Sequence, residues 1–169
     1  MKTFMLLATL LLATVAFAQK KPVPQINNAI LRLYGMPYVI DGDTIDIEGT
    51  RIRLHGIDAP ELNQTCSDGF GGKDAAEHLR SLIAQQPVRC ERHDIDRYGR
   101  IVAICFNAIG DDLNELMVRD GYAYAYAVYS QKYLRAEQVA RAAKLGVFSL
   151  GRKCELPWLW RKKRRTNDE

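Results

Sequence analysis

After residue 18 this chain has no long hydrophobic run. Nothing there reads as a bilayer span, which needs about 20 apolar residues. Histidine is scarce, with three in all, and no two of the four cysteines are close in sequence. That excludes a thiolate or thiolate–imidazole metal centre as a reading. There is no internal repeat and no sign of a second domain. The body also lacks net charge: between Gln19 and Trp160 basic and acidic residues number 18 each. The overall excess of +4 comes from a terminal run, Arg161-Lys162-Lys163-Arg164-Arg165. It is therefore no evidence for a basic face on the folded body. The run itself, residues 161–169 with Asp168 and Glu169, reads either as a frayed, solvated tail or as weak retention for polyanions such as DNA or a membrane surface.

What is present begins with an export signal. Met1-Lys2-Thr3 is a short basic start, Phe4 to Val15 is apolar, and Ala16-Phe17-Ala18 is a small-x-small cleavage site. Residues 1–18 are predicted to be removed, and no cysteine follows the cut to take a lipid anchor. The remaining chain is expected to be exported, either periplasmic or secreted, with a flexible segment at 19–28 and one folded domain at 29–160. A domain of this size can build a real core. Export makes disulfides the expected state of Cys66, Cys90, Cys105 and Cys154. Cys90 and Cys105 flank a turn near Arg97-Tyr98 and can face each other across a hairpin. That leaves Cys66 with Cys154. The alternative is buried free thiols.

Hydrophobic periodicity orders the domain. Ala29 to Tyr34 and Tyr38 to Ile40 read as strands, followed by an Asp41-Gly42 turn and a strand over Thr44 to Ile47. Arg51 to Ile57 alternates, with Ile52 and Leu54 on one face and Arg51, Arg53 and His55 on the other. Pro60 ends it. Asp74 to Gln85 has helical spacing. Val88 to Glu91 and Ile101 to Phe106 form a hairpin. Asp112 caps a second helix, with Glu115 completing a capping box and Gly121 closing it. Ser130 opens a third that runs to Leu145. Pro157-Trp158-Leu159-Trp160 is expected to pack back on the body. Strands first and helices later argue for an α+β fold, and a small closed barrel protects the edges of so few strands.

Three separated segments carry chemistry. Val39-Ile40-Asp41-Gly42-Asp43-Thr44, Arg53-Leu54-His55-Gly56-Ile57-Asp58-Ala59-Pro60-Glu61 and Asp96-Arg97-Tyr98-Gly99-Arg100 put carboxylates and guanidiniums at turns and strand ends. Each alone reads as a turn or a solvated charge. Together they pair oxygen ligands for a hard cation with forks for phosphate. Asp41 serves either the turn alone or the surroundings of a metal through water. His55, His78 and His93 read as surface residues, not catalysts.

In this combination and order the motifs resemble the staphylococcal-nuclease (thermonuclease-like) family, over about Tyr38 to Ser149. The resemblance implies a five-stranded OB-fold barrel with three α-helices. It implies Ca²⁺ on the carboxylates of Asp43 and Asp58 and the carbonyl of Ala59. It implies Arg53, Glu61 and Arg100 as catalytic residues. The implied reaction is sugar-nonspecific endonucleolytic hydrolysis of DNA and RNA to products with 3′-phosphate ends. Tyr98 matches a family tyrosine near the nucleotide. A second family tyrosine falls on Ala127, so Tyr126 or Tyr129 is the candidate for base stacking; the alternative is that Tyr122, Tyr124, Tyr126, Tyr129 and Tyr133 are packing residues. The segment after Glu61, with Cys66, Gly71 and Gly72, has no lysine cluster. A monomer is expected. The rival classes are a nucleic-acid-binding module without chemistry and an envelope-associated protein acting through its basic tail. The joint presence of Arg53, Glu61 and Arg100 argues against the first; the second predicts that deleting the tail abolishes function while Glu61→Ala does nothing.

Overall fold

The structure, a computed structural model, describes residues 32–167. The export signal and the 19–28 segment lie outside the described residues. Strands β1 (Arg32–Gly35), β2 (Pro37–Val39), β3 (Thr44–Ile47), β4 (Thr50–Leu54) and β5 (Ile57–Asp58) precede helix α1 (Gly72–Ile83). Strands β6 (Val88–Ile95) and β7 (Ile101–Phe106) lead to α2 (Leu113–Arg119), β8 (Tyr124–Ala125) and α3 (Leu134–Ala143). A 3-10 turn at Gly146–Phe148 and a helix α4 (Pro157–Asn167) complete the order.

The main sheet runs β1-β6-β7-β4-β3-β2. Only Met36 separates β1 from β2, and the two pair at opposite ends of the order: β1 with β6, and β2 with β3. They act as one bent strand that closes the sheet on itself. Counted so, the barrel has five strands, as an OB-fold requires. β5 and β8 form a separate short ladder beside it.

Alternation decides the core. Ile45, Ile52 and Leu54 are buried inside the barrel, and Leu79 of α1 and Met117 of α2 join the same core. α2 starts where the sequence says, with the Asp112 carboxylate accepting the Glu115 N–H at 3.1 Å. α3 starts later than the sequence suggests, because Ser130 caps only a turn, taking the Lys132 N–H at 3.2 Å.

There are four helices among the described residues, not three, and the fourth revises the reading of the tail. α4 runs through Trp160 and Arg161 without a break, so the basic run begins inside a helix. His55 also departs from expectation. It sits one residue past β4, is buried, and its ring lies 4.0 Å from that of His93. Burial, then the neighbouring His93, hold its imidazole below the usual value. His93 is exposed. His78 hydrogen-bonds Asp120 at 2.9 Å and stacks on Tyr122.

Both disulfides are formed as the spacing suggests, Cys90–Cys105 and Cys66–Cys154. Cys90 and Cys105 are direct partners in the β6–β7 register. The second bridge ties the loop after Glu61 to the segment that leads into α4. Their separations are 15 and 88 residues. Constraint of the unfolded chain predicts about 3 kcal/mol for the short loop and nearly 5 kcal/mol for the long one. Denaturant unfolding with and without reductant should therefore show a large drop in midpoint, and an unchanged midpoint would contradict it.

Candidate active site

The site forms where β4 and β5 end against the Asp41-Gly42-Asp43 turn. The Asp41 carboxylate accepts the Asp43 N–H at 2.9 Å, an Asx turn that aims Asp43 inward. Gly42 is required there. A Cβ on it would come within 2.7 Å of the Cβ atoms of both Ala59 and Ala75, so only glycine lets the turn sit against α1 and the Asp58 strand end. Asp43 is buried, and its Oδ2 accepts the Ala59 N–H at 2.8 Å. The three residues expected to hold a cation, Asp43, Asp58 and Ala59, are thus neighbours.

Arg53 bridges the carboxylates. It leaves the end of β4 and pairs through Nη1 with Asp43 and through Nη2 with Asp58 at 2.8 Å. Nη2 also donates to the Ile57 carbonyl at 3.0 Å. Asp58 is fully buried. Burial, then the charge of Asp43, push the Asp58 carboxyl up to about 6. Burial and Asp43 likewise push Asp41 up to about 7. The cluster is therefore short of positive charge even with Arg53 in place. An all-oxygen set of this kind suits a hard cation. Among the described residues no group of three or more His, Cys, Asp or Glu side chains is arranged to hold a metal. The Asp43, Asp58 and Ala59 set differs in kind, with two carboxylates and one backbone carbonyl.

Glu61 follows Pro60 on a loop held from below. Its carbonyl accepts the Gln64 N–H at 2.7 Å, and its N–H donates to the Gln64 side chain at 3.2 Å. Gly72 lies so near that a Cβ there would fall 2.0 Å from the Glu61 carbonyl oxygen. The two glycines that distinguish this segment therefore let α1 begin directly under the loop.

The residue that sequence reasoning missed is Arg161. From α4 its Nη1 donates to Glu61 Oε1 at 2.6 Å, and its Nη2 donates to Asp58 Oδ1 and Oδ2 at 3.0 and 2.9 Å. The signal available was indirect. Trp158, expected to pack on the body, lies three residues earlier, on the same helical face.

Arg53, Asp43, Asp58 and Glu61 thus belong to one hydrogen-bonded network, with Asp41 and Ala59 at its edge. Among the described residues Arg100 makes no hydrogen bond to this network. One residue ahead of β7, the strand parallel to β4, it is held by Asp96 at 2.7 Å. Burial opposes the Asp96 charge, but hydrogen bonds from Arg100 and from the Tyr98 N–H outweigh it and hold the carboxyl below the usual value. Tyr98 is exposed beside Arg100. Tyr126 stacks on Trp158 with ring centroids 5.4 Å apart and meets the tilted ring of Tyr129 at 5.0 Å. Burial, then the nearby charge of Asp58, raise the Tyr126 phenol, so this stack borders the carboxylates. Tyr129 is its exposed member.

Residues 51–149, from Arg53 through Arg100 and α3, match the family described as staphylococcal nuclease homologue. The chain belongs to this family. It is 33% identical over 140 residues to the micrococcal nuclease of Shigella flexneri, covering 73% of this chain and 77% of that protein. It is 39% identical over 123 residues to the succinoglycan biosynthesis protein ExoI of Rhizobium meliloti (strain 1021), covering 69% of this chain and 64% of the relative. The chain thus spans under two thirds of that relative's length. It is 31% identical over 172 residues to Protein ParB of Escherichia coli, covering 92% of this chain and 87% of that protein. The micrococcal nuclease bears an activity in its name; the other two names do not describe one.

Proposed function

We propose that this staphylococcal-nuclease-like protein is an exported, Ca²⁺-dependent, sugar-nonspecific endonuclease that hydrolyses DNA and RNA to products with 3′-phosphate ends. The observation that supports it is the network around Arg53: two buried carboxylates, one guanidinium bridging them, and a third carboxylate three residues beyond. In this reading Asp43, Asp58 and the Ala59 carbonyl hold the cation, with Asp41 behind Asp43. Bound there, a divalent cation supplies Lewis-acid polarisation of a phosphate oxygen.

The chain's own groups supply the rest. Glu61 Oε1 is taken by Arg161, and no described residue donates to Oε2. That oxygen accepts a proton from the attacking water, or orients it. Water oxygen bonds to phosphorus, the bond to the 5′-oxygen breaks, and the leaving oxygen takes a proton from solvent. Arg100 is not assigned as its source, because a guanidinium is a very weak acid. Arg53 and Arg100 donate to the non-bridging oxygens as charge builds there. Tyr98, Tyr126 and Tyr129 are the candidates for nucleotide contact.

Arg53→Lys tests the guanidinium. It keeps a charge between Asp43 and Asp58 but loses the planar fork. Turnover should fall by about 2.7–4 kcal/mol of barrier, the scale of one lost transition-state donor. Initial rates should be measured beside a thermal melt. Wild-type rates in a folded variant would remove Arg53 from the chemistry. A binding module without chemistry is separated by incubating the wild-type protein with single- and double-stranded DNA and RNA in each divalent ion. Retention without cleavage under every condition would overturn the nuclease reading.

A further inference from the structure

We propose that Arg161 is a positioning residue of this reaction: carried by α4, it fixes Glu61 against Asp58 and so couples the C-terminal helix to turnover. The inference rests on the nuclease reading of the same site. Asp58 and Glu61 lie three residues apart and both carry negative charge. Asp58 is already held by Arg53 and by burial. Glu61 is not. Its side chain is 32% exposed, it stands on a loop, and its described side-chain partner is Arg161. The direction of its carboxylate is therefore set by where α4 places that guanidinium.

α4 is built to place it. Cys154 bonds Cys66, the buried Gln64 donates to the Glu155 carbonyl at 2.6 Å, and the Ser67 N–H donates to the Lys153 carbonyl at 3.0 Å. Each tie joins the loop that carries Glu61 to the segment that begins α4. Trp158 then packs against Tyr124 and Tyr126, both of the β8 region beside Asp58. One turn on, Arg161 divides its donors, with Nη1 on Glu61 and Nη2 on both oxygens of Asp58. Two carboxylates gripped by separate nitrogens of one rigid plane are held at a defined spacing. A lysine ammonium, a single point on a flexible stem, cannot do this.

The experiment uses the mature chain with both disulfides intact, a short single-stranded oligodeoxynucleotide and saturating calcium. Misplacing a catalytic group by 1 Å costs up to about 100-fold, so Arg161→Ala should lower kcat by about 10- to 100-fold while KM stays within about two-fold. Added guanidinium should restore kcat in that variant and leave the wild type unaffected. Arg161→Lys should also turn over more slowly, with a melting temperature near wild type, and it decides the matter if Arg161→Ala does not fold. Calcium affinity, read by a binding isotherm, should be unchanged in Arg161→Lys and unchanged or tighter in Arg161→Ala, where a positive charge beside Asp58 is lost.

Wild-type kcat in Arg161→Lys, or in a folded Arg161→Ala, would overturn the proposal. A rise in KM with kcat intact would overturn it in favour of a substrate clamp. Tighter calcium binding with faster turnover would overturn it in favour of a guanidinium that competes with the cation. A wild-type protein that cuts nothing fails at an earlier step, since it removes the nuclease reading before any variant is made.

Discussion

Glu61→Gln should lose about 10²- to 10⁴-fold in turnover, the range that general acid–base catalysis contributes, while nucleotide binding in calcium persists. The substitution is nearly isosteric. A glutamine oxygen still accepts the Arg161 donor that Glu61 Oε1 accepts at 2.6 Å, so the loop keeps its anchor. What disappears is a carboxylate able to take up or orient the proton of the attacking water. The loss should fall on kcat, because in the proposed mechanism the phosphate is held by Arg53, Arg100 and a cation on Asp43 and Asp58, and not by Glu61. Steady-state rates and a fluorescent-nucleotide titration separate the two effects. Unchanged turnover would leave Glu61 with a structural role only.

Chelation should abolish activity altogether. Plasmid degradation should stop in excess EGTA and return on adding calcium; full activity in the chelator would refute the metal assignment. The carboxylates predict a second readout that needs no substrate. Asp58 is raised to about 6 and Asp41 to about 7 by burial and by Asp43. For an acid raised on folding, the stability linked to its proton is fully present below its ordinary value near 4 and is lost as pH rises through the folded value. Without metal, the site should therefore destabilise the fold progressively from about pH 4 to about pH 7. A cation on the same oxygens opposes this, so the calcium-induced rise in melting temperature should grow across that window. An equal shift at pH 4.5 and pH 7.5 would place the cation elsewhere.

The route from β4 into the site shows how far local pattern reaches. Alternation predicts that Ile52 and Leu54 face the core, and both are buried. The same alternation assigns His55 to the surface with Arg53. It fails there because β4 ends at Leu54 and the chain turns. The His55 carbonyl accepts from the buried Asn114 side chain at 2.9 Å, which also contacts β7 at the Cys105 N–H and the Ala103 carbonyl. A period of two carries no information past the last residue that obeys it. Tyr126 is similar. Its place in the chain suggests either a ring for a base or a packing residue; the fold stacks it on Trp158 and leaves Tyr129 as the exposed ring.

By elimination the sequence favours the observed cysteine pairing over free thiols; by itself it points to the family, the α+β barrel and the motifs that carry Asp43, Arg53, Asp58 and Glu61. These follow from motifs and periodicities whose information lies within a few residues of one another. The tertiary structure alone decides that Arg161 joins them, that Arg100 is paired with Asp96, and that a fourth helix stands where the sequence suggests a solvated or polyanion-retaining tail. The physical reason is distance along the chain. Arg161 meets Glu61 across 100 residues and Asp58 across 103, and an ion pair has no period by which a sequence can announce it. Five consecutive cations look alike until Trp158 seats the helix and turns one of them inward.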